Sequence, residues 1–208
     1  MHIPQHFSQV DPKALQGLIR RHPFAVLITQ GLNAVHLPLE LLDADTGFGK
    51  LAGHVARANP LWHECSTGQE ALAIFQGGHA YVSPSWYASK HRTGRVVPTW
   101  NYRVVHARGN IRLIDDETWL HTHLQRMTDQ MEAQSLQPWS LADAPRDFIN
   151  GLVKGVVGIE LEIRSLTGKW KLSQNRSQED RNGVVEGLRG LGSAEGETLI
   201  EAMLNKSS

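Results

Sequence analysis

Between Phe24 and Ile114 the sequence is cut into short apolar, β-branched runs by Gly, Pro and Asn, and this punctuation most limits the folds open to it. Phe24-Ala-Val-Leu-Ile28 suits a buried strand. Ala34 to Leu42 alternates well enough to pair with it through Gln30-Gly31-Leu32-Asn33, so the two predict a hairpin. Lys50 to Val55, Ala71 to Gln76, Ala80 to Ser83 and Val96 to Ile114 read as further strands. At Asp115 the period changes: Leu120, Leu124, Met127 and Met131 line one face of a helix of about four turns, with Asp115, Asp116 and Glu117 at the positive end of its dipole. Other helices are expected after the Asp11 cap and Pro12, from Asp143 through Leu152, and over Gln178 to Leu191, while Val156 to Ile163 returns to a strand pattern. The pattern predicts a β-rich α+β fold, a small barrel with peripheral helices, because closure removes unpaired sheet edges.

A chain of 208 residues can bury roughly 70% of the surface it exposes when unfolded, so a real core is available. No linker or internal repeat divides it, and residues 1–191 are expected to form one domain followed by a variable tail over 192–208. No apolar run approaches the ~18 residues a membrane helix needs. The single Cys65 cannot close an intrachain disulfide, and Met1 to His6 has neither a basic n-region nor an apolar h-region. These features predict a soluble, cytoplasmic protein with no membrane partner. The 21 Lys+Arg balance 21 Asp+Glu, which argues against a large electrostatic footprint on nucleic acid.

Eleven His residues invite a metal reading that their spacing does not support. His121 and His123 would lie about 200° apart on a helix and cannot share an ion. His36, His54, His79, His91 and His106 sit on or beside separate strands, without a second Cys or a His-Glu-x-x-His pattern. Scattered hydrogen-bonding His is the better reading, and no metal site is expected. The sequence also lacks a Gly-x-Ser-x-Gly elbow, a P-loop and a strand-linked Gly-x-Gly-x-x-Gly, so hydrolase, NTPase and Rossmann readings fail.

What remains is a dense middle: Gly53 to Pro60, Phe75 to Tyr87, and Val97 to Tyr102. Aromatics, amides, hydroxyls and Arg57 gather there at strand ends, the composition of a pocket for a planar ring with an anionic tail. The tail would take Arg57, beside the turn at Ala58-Asn59-Pro60 and its N–H groups. Trp86, Trp100 and Tyr102 equally suit an ordinary core, and Asn59 a turn cap. A second cluster, Gly168-Lys-Trp170-Lys-Leu-Ser-Gln174-Asn-Arg176, repeats the recipe and equally suits a solvated loop.

The succession Ile3-Pro-Gln-His-Phe7, His22-Pro-Phe24, His36-Leu-Pro38, Gly53-His-Val-Ala-Arg-Ala-Asn-Pro60, Tyr81-Val-Ser-Pro-Ser-Trp-Tyr87, Val97-Pro-Thr-Trp-Asn-Tyr102 and Gly168 to Arg176 closely resembles the PaiB-type, FMN-binding negative transcriptional regulator family. Seven ordered motifs between Met1 and about Leu191 carry the resemblance. It departs at Val35, where relatives tend to have Asn before the His.

The resemblance implies a split β-barrel of the pyridoxamine-phosphate-oxidase-like kind, assembled as a homodimer with FMN at the subunit interface. By motif, His54, Val55, Arg57 and Asn59 would hold the flavin phosphate, and Thr99, Trp100 and Asn101 would line the flavin. Lys169, Trp170, Lys171 and Gln174 would close the pocket. It also implies a role in transcription, so DNA enters as a partner by resemblance alone, although no basic recognition helix is visible. Two function classes follow, a flavin-bound regulator or sensor and a flavin-dependent oxidoreductase acting on a small molecule. Haem held by an exposed His is a third. The cofactor would do any redox chemistry, so no catalytic residue is assigned.

Overall fold

A computed structural model describes residues 1–42 and 47–204 of the chain. In chain order its elements are β1 (Ser8–Gln9), α1 (Pro12–Arg21), β2 (Phe24–Ile28), β3 (Ala34–Pro38), β4 (Glu40–Leu42), β5 (Lys50–Ala56), α2 (Leu61–Glu64), β6 (Glu70–Val82), α3 (Ser89–Thr93), β7 (Thr99–Ile114), α4 (Glu117–Glu132), α5 (Arg146–Val153), β8 (Val156–Lys171), α6 (Gln178–Leu191) and α7 (Ala194–Leu204). The strands hydrogen-bond in the order β3-β2-β6-β7-β8-β5-β4, with β1 added on β8. The pairings β2 with β3, β4 with β5, β5 with β8 and β1 with β8 are all antiparallel. Two compact units divide the chain, one of Met1–His22, Ile74–His106 and Leu166–Ser208, the other of Pro23–Ala73 and Ala107–Ser165.

In the second unit the expected hairpin forms in the register Val26↔His36, and Ala25 and Leu27 are buried while Phe24 is exposed. Its turn needs left-handed backbone, with φ of 82° at Gly31 and 64° at Leu32. The run Ala34 to Leu42, expected as one strand, is two: β3 pairs with β2, then the chain changes partner at Leu39 so that β4 pairs with β5. Leu39 is buried, its N–H donates to Pro23 O at 2.9 Å, and a Cβ on Gly53 would lie 2.7 Å from its Cδ2. The glycine of β5 is what lets the corner close. Asp116 caps α4 by accepting from Trp119 N at 2.7 Å, and Leu120 packs with Ile149 and Val153 of α5. Trp119 lies where a Cβ on Gly158 of β8 would come within 2.3 Å of its ring, so that glycine seats the helix on the strand.

In the first unit Asp11 caps α1, accepting from Lys13 N at 3.1 Å, and Leu15, Leu18 and Ile19 are buried, each worth about 1.5–3 kcal/mol. The runs Ala71 to Gln76 and Ala80 to Ser83 belong to one strand, β6, because Gly77 and Gly78 are points of close approach rather than a turn. A Cβ at Gly77 would stand 3.1 Å from Leu18 Cδ1, and one at Gly78 would stand 2.8 Å from Glu195 O. Ser177 caps α6, whose Val184 and Leu188 are fully buried. The segment after Leu191, expected as a tail, is helical over Ala194–Leu204 and buries Leu199, Ile200 and Met203; Met203 follows Ile200 by three residues and Leu199 by four, as one helix face requires. Residues 205–208 of that segment lie outside the described residues.

Candidate functional site

The residues singled out in the sequence fall into two groups, one in each unit. In the second unit, β5 presents His54 and the buried Val55, and the chain then turns through Arg57 and Asn59 into α2. Arg57 donates through Nη1 and Nη2 to the two carboxylate oxygens of Asp115 at 3.0 and 2.5 Å. Its Nε donates to Lys154 O at 2.9 Å and Nη2 also to Val156 O at 3.2 Å. Asp115 raises the Arg57 pKa, chiefly by hydrogen bonding, and Arg57 in turn holds the Asp115 carboxyl below its ordinary value. Asn59 caps the turn, its Oδ1 accepting from Leu61 N at 3.0 Å, while Asn59 N donates to Ala56 O and Trp62 N to Asn59 O. The N–H groups of Asn59, Leu61 and Trp62 are therefore spent on the turn itself.

His54 meets a residue that the sequence reading weighed only as a metal ligand. Its Nδ1 lies 3.2 Å from Nε2 of His123 on α4, and His123 is fully buried, stacked on Trp119 at a centroid distance of 5.1 Å. Burial pushes the His123 pKa down to about 3, helped by His54 and Arg126, and burial lowers His54 as well. His123 lies three residues after the buried Leu120, on the apolar stripe of α4, and that spacing was the available signal. His121 diverges from it, half-exposed, as helix geometry requires. Among the described residues no three His, Cys, Asp or Glu side chains converge as a metal-ligand set.

In the first unit the Val97–Tyr102 segment comes together with the Gly168–Arg176 cluster. Alternation along β7 buries Asn101 and Arg103 and turns Trp100 and Tyr102 to the opposite face. Along β8 it buries Trp170 and turns Lys169 and Lys171 to that same side, where Lys169 Nζ lies 5.6 Å from the Tyr102 ring centroid. Lys171 Nζ donates to Thr99 Oγ1 and, at 2.7 Å, to Trp100 O. Burial first, then Lys169 and Arg176, lowers the Lys171 pKa. His79 and Tyr81 of β6 flank Trp100, at centroid distances of 5.8 and 6.2 Å. Trp100 is 52% exposed and Tyr81 46%.

Behind this face the strand ends are fixed by amides. Asn101 is fully buried and exchanges hydrogen bonds with Ser173, Nδ2 to Oγ at 3.0 Å and Oγ to Oδ1 at 3.2 Å. Ser173 occupies left-handed backbone, with φ of 61°. Gln174 closes the turn, accepting from Leu172 N at 2.7 Å and donating to Trp170 O at 2.6 Å. Of the residues expected here, Trp100, Lys169 and Lys171 share one accessible face, with Thr99 at the strand end bonded to Lys171, while Asn101, Trp170 and Gln174 support it from behind or from the end.

A family model described as "Putative FMN-binding domain" matches residues 1–165. The chain is 30% identical to the Bacillus subtilis Protease synthase and sporulation protein PAI 2 over 209 residues, covering 99% of this chain and 98% of that protein. Among solved structures it is similar to the flavocytochrome Anf3 from Azotobacter vinelandii, with a TM-score of 0.57 and 15% identity over 87% of this chain and 78% of that one. It is also similar to the FAD and heme binding protein from Mycobacterium smegmatis, with a TM-score of 0.54 and 14% identity over 83% and 78% of the two chains. These likenesses establish the fold class as the β-rich split barrel with peripheral helices.

Proposed function

The chain belongs to the FMN-binding domain family matched over residues 1–165, with FMN as its cofactor, and we propose that it holds FMN against the exposed face of β6, β7 and β8 at a homodimer interface and acts as a flavin-bound regulator or sensor. The observation that carries this reading is the combination on that face of Trp100, Tyr81 and His79 with the ammonium groups of Lys169 and Lys171. FMN needs a surface for a flat aromatic ring and cations for a phosphate, and this donor set fits both. Exposed aromatics of this size mark interaction surfaces, and a second copy of the chain covering them is the basis of the dimer. FMN, when bound, supplies electron-transfer chemistry.

This chain's own residues supply placement. Thr99 and the Trp100 carbonyl fix the Lys171 ammonium group, and the Asn101–Ser173 pair fixes the strand end behind it. The regulatory role is supported by the relative named for protease synthesis and sporulation, which the chain matches along nearly its whole length. Among the described residues no helix is long and apolar enough to cross a membrane.

The test is an absorption spectrum of the purified chain during titration with FMN, joined to sedimentation velocity. The expected result is a perturbed flavin spectrum saturating at one FMN per chain, on a particle of twice 23.2 kDa, without sustained oxidation of reduced nicotinamide. Sustained turnover would replace the regulatory role by an oxidoreductase one, and a monomer that binds FMN would remove the interface.

A further inference from the structure

Helices α4 and α5 pack through Leu120, Ile149 and Val153, with Leu124, Leu141 and Ala144 against them. Along this core runs a cavity of about 650 Å³, the size of site that takes a small organic molecule, and every residue lining it belongs to the second unit. Its third wall is the connection between the two helices, which side-chain hydrogen bonds hold in place. Glu132 Oε2 accepts from Trp139 N at 3.1 Å, Ser140 Oγ accepts from Ala142 N at 3.1 Å, and Asp143 Oδ2 accepts from Ser140 N at 2.8 Å. The wall that carries Leu141, Ala142 and Ala144 is therefore built before any ligand arrives.

The lining has two chemical parts. Ile149 of α5 joins Leu141, Ala142 and Ala144 in an apolar surface, while Arg126 and His121 of α4 and Arg146 of α5 supply N–H donors. No Asp or Glu is among the lining residues. The two guanidinium groups are not equivalent. Arg126 gives Nε and Nη2 to Glu40 at 3.1 and 3.3 Å, so its charge is already matched and Nη1 alone stands outside the pair. Arg146 is exposed, and among the described residues no carboxylate forms an ion pair with it. The uncompensated cation of the cavity is Arg146.

We propose that this cavity binds an organic anion with an apolar body, its carboxylate on Arg146 and its body against Ile149 and Leu141. A bare inorganic anion would leave the apolar wall wet, and a neutral apolar molecule would gain nothing from the guanidinium. A charged head on an apolar body uses both parts. The site consists of residues outside the flavin reading and does not rest on it.

The probe is 2-naphthoate, titrated into the ¹⁵N-labelled full chain with excess FMN present and followed by amide ¹⁵N–¹H shifts. Saturable shifts are expected at Thr122, Ala142, Arg146 and Asn150, with a Kd of about 1 mM or tighter for a ligand of this size. Arg146→Gln should weaken binding roughly 3- to 10-fold, between an exposed ion pair and a buried charge-assisted hydrogen bond. 2-Naphthalenemethanol, the same body without the charge, should bind the wild type more weakly by a similar factor and lose nothing in Arg146→Gln. Ala142→Trp, at an exposed position of the wall, should fill the cavity and abolish the shifts with the melting temperature unchanged. The proposal is overturned by shifts confined to residues outside α4, α5 and their connection, or by no saturable shift at ten times that Kd. Equal affinity for the acid and the alcohol, or undiminished binding in both variants, overturns it as well.

Discussion

Arg57 and Asp115 face each other end-on, with Nη1 to Oδ2 at 3.0 Å and Nη2 to Oδ1 at 2.5 Å, and the remaining reach of the guanidinium goes to the carbonyls of Lys154 and Val156. Four hydrogen bonds already tie this side chain to its own unit, joining the end of β5 to the start of β8 and the end of β7. The planar fork that suits a phosphate suits a carboxylate equally well, and here the carboxylate has it.

Arg57→Ala is therefore expected to lower the melting temperature while leaving the ratio of FMN to riboflavin affinity as in the wild type. Isothermal titration with both ligands checks it. A selective loss of FMN affinity would restore the guanidinium to the phosphate.

The buried imidazole of His123 predicts an acid limb to the stability curve. Its folded-state pKa of about 3 lies below its ordinary value of 6.5, so between those values the unfolded chain holds the extra proton and stability must fall as pH falls. His54, lowered by burial, adds to the same slope. The unfolding free energy measured in urea from pH 7 to pH 4 should drop with a slope approaching one proton for His123, and His123→Gln should flatten it. An unchanged slope in the variant would mean that His123 is not the group titrating.

How much of this was legible beforehand depends on what each signal meant physically. The β2–β3 hairpin, the cap at Asp11, the acidic start of α4 and the turn at Asn59 could be read because each rests on neighbours in sequence. Gln76-Gly-Gly78 read as a break in β6, but these glycines admit Leu18 and Glu195 from distant helices, and sequence alone does not separate a turn glycine from a close-approach glycine. Ala34 to Leu42 likewise read as one strand because the change of partner at Leu39 depends on Gly53. At the site, Lys169-Trp170-Lys171 read as one cluster closing the pocket or a solvated loop, and it is the continuation of β8 past Ile163 to Lys171 that separates the buried indole from two accessible cations. The partners of Arg57 and His54 were invisible, since Asp115 and His123 come from 58 and 69 residues away.

The central claim, that the accessible face of β6, β7 and β8 is where FMN binds, is tested most directly by titrating wild type and Lys171→Met with FMN and with riboflavin. Lys171 is anchored by Thr99 and the Trp100 carbonyl beside the exposed indole, and a charge-assisted contact to phosphate is typically worth ~1.5–3 kcal/mol. The account predicts roughly 10- to 150-fold weaker FMN binding with riboflavin affinity little changed. FMN affinity equal in the two proteins, or an equal loss for both ligands, would contradict it.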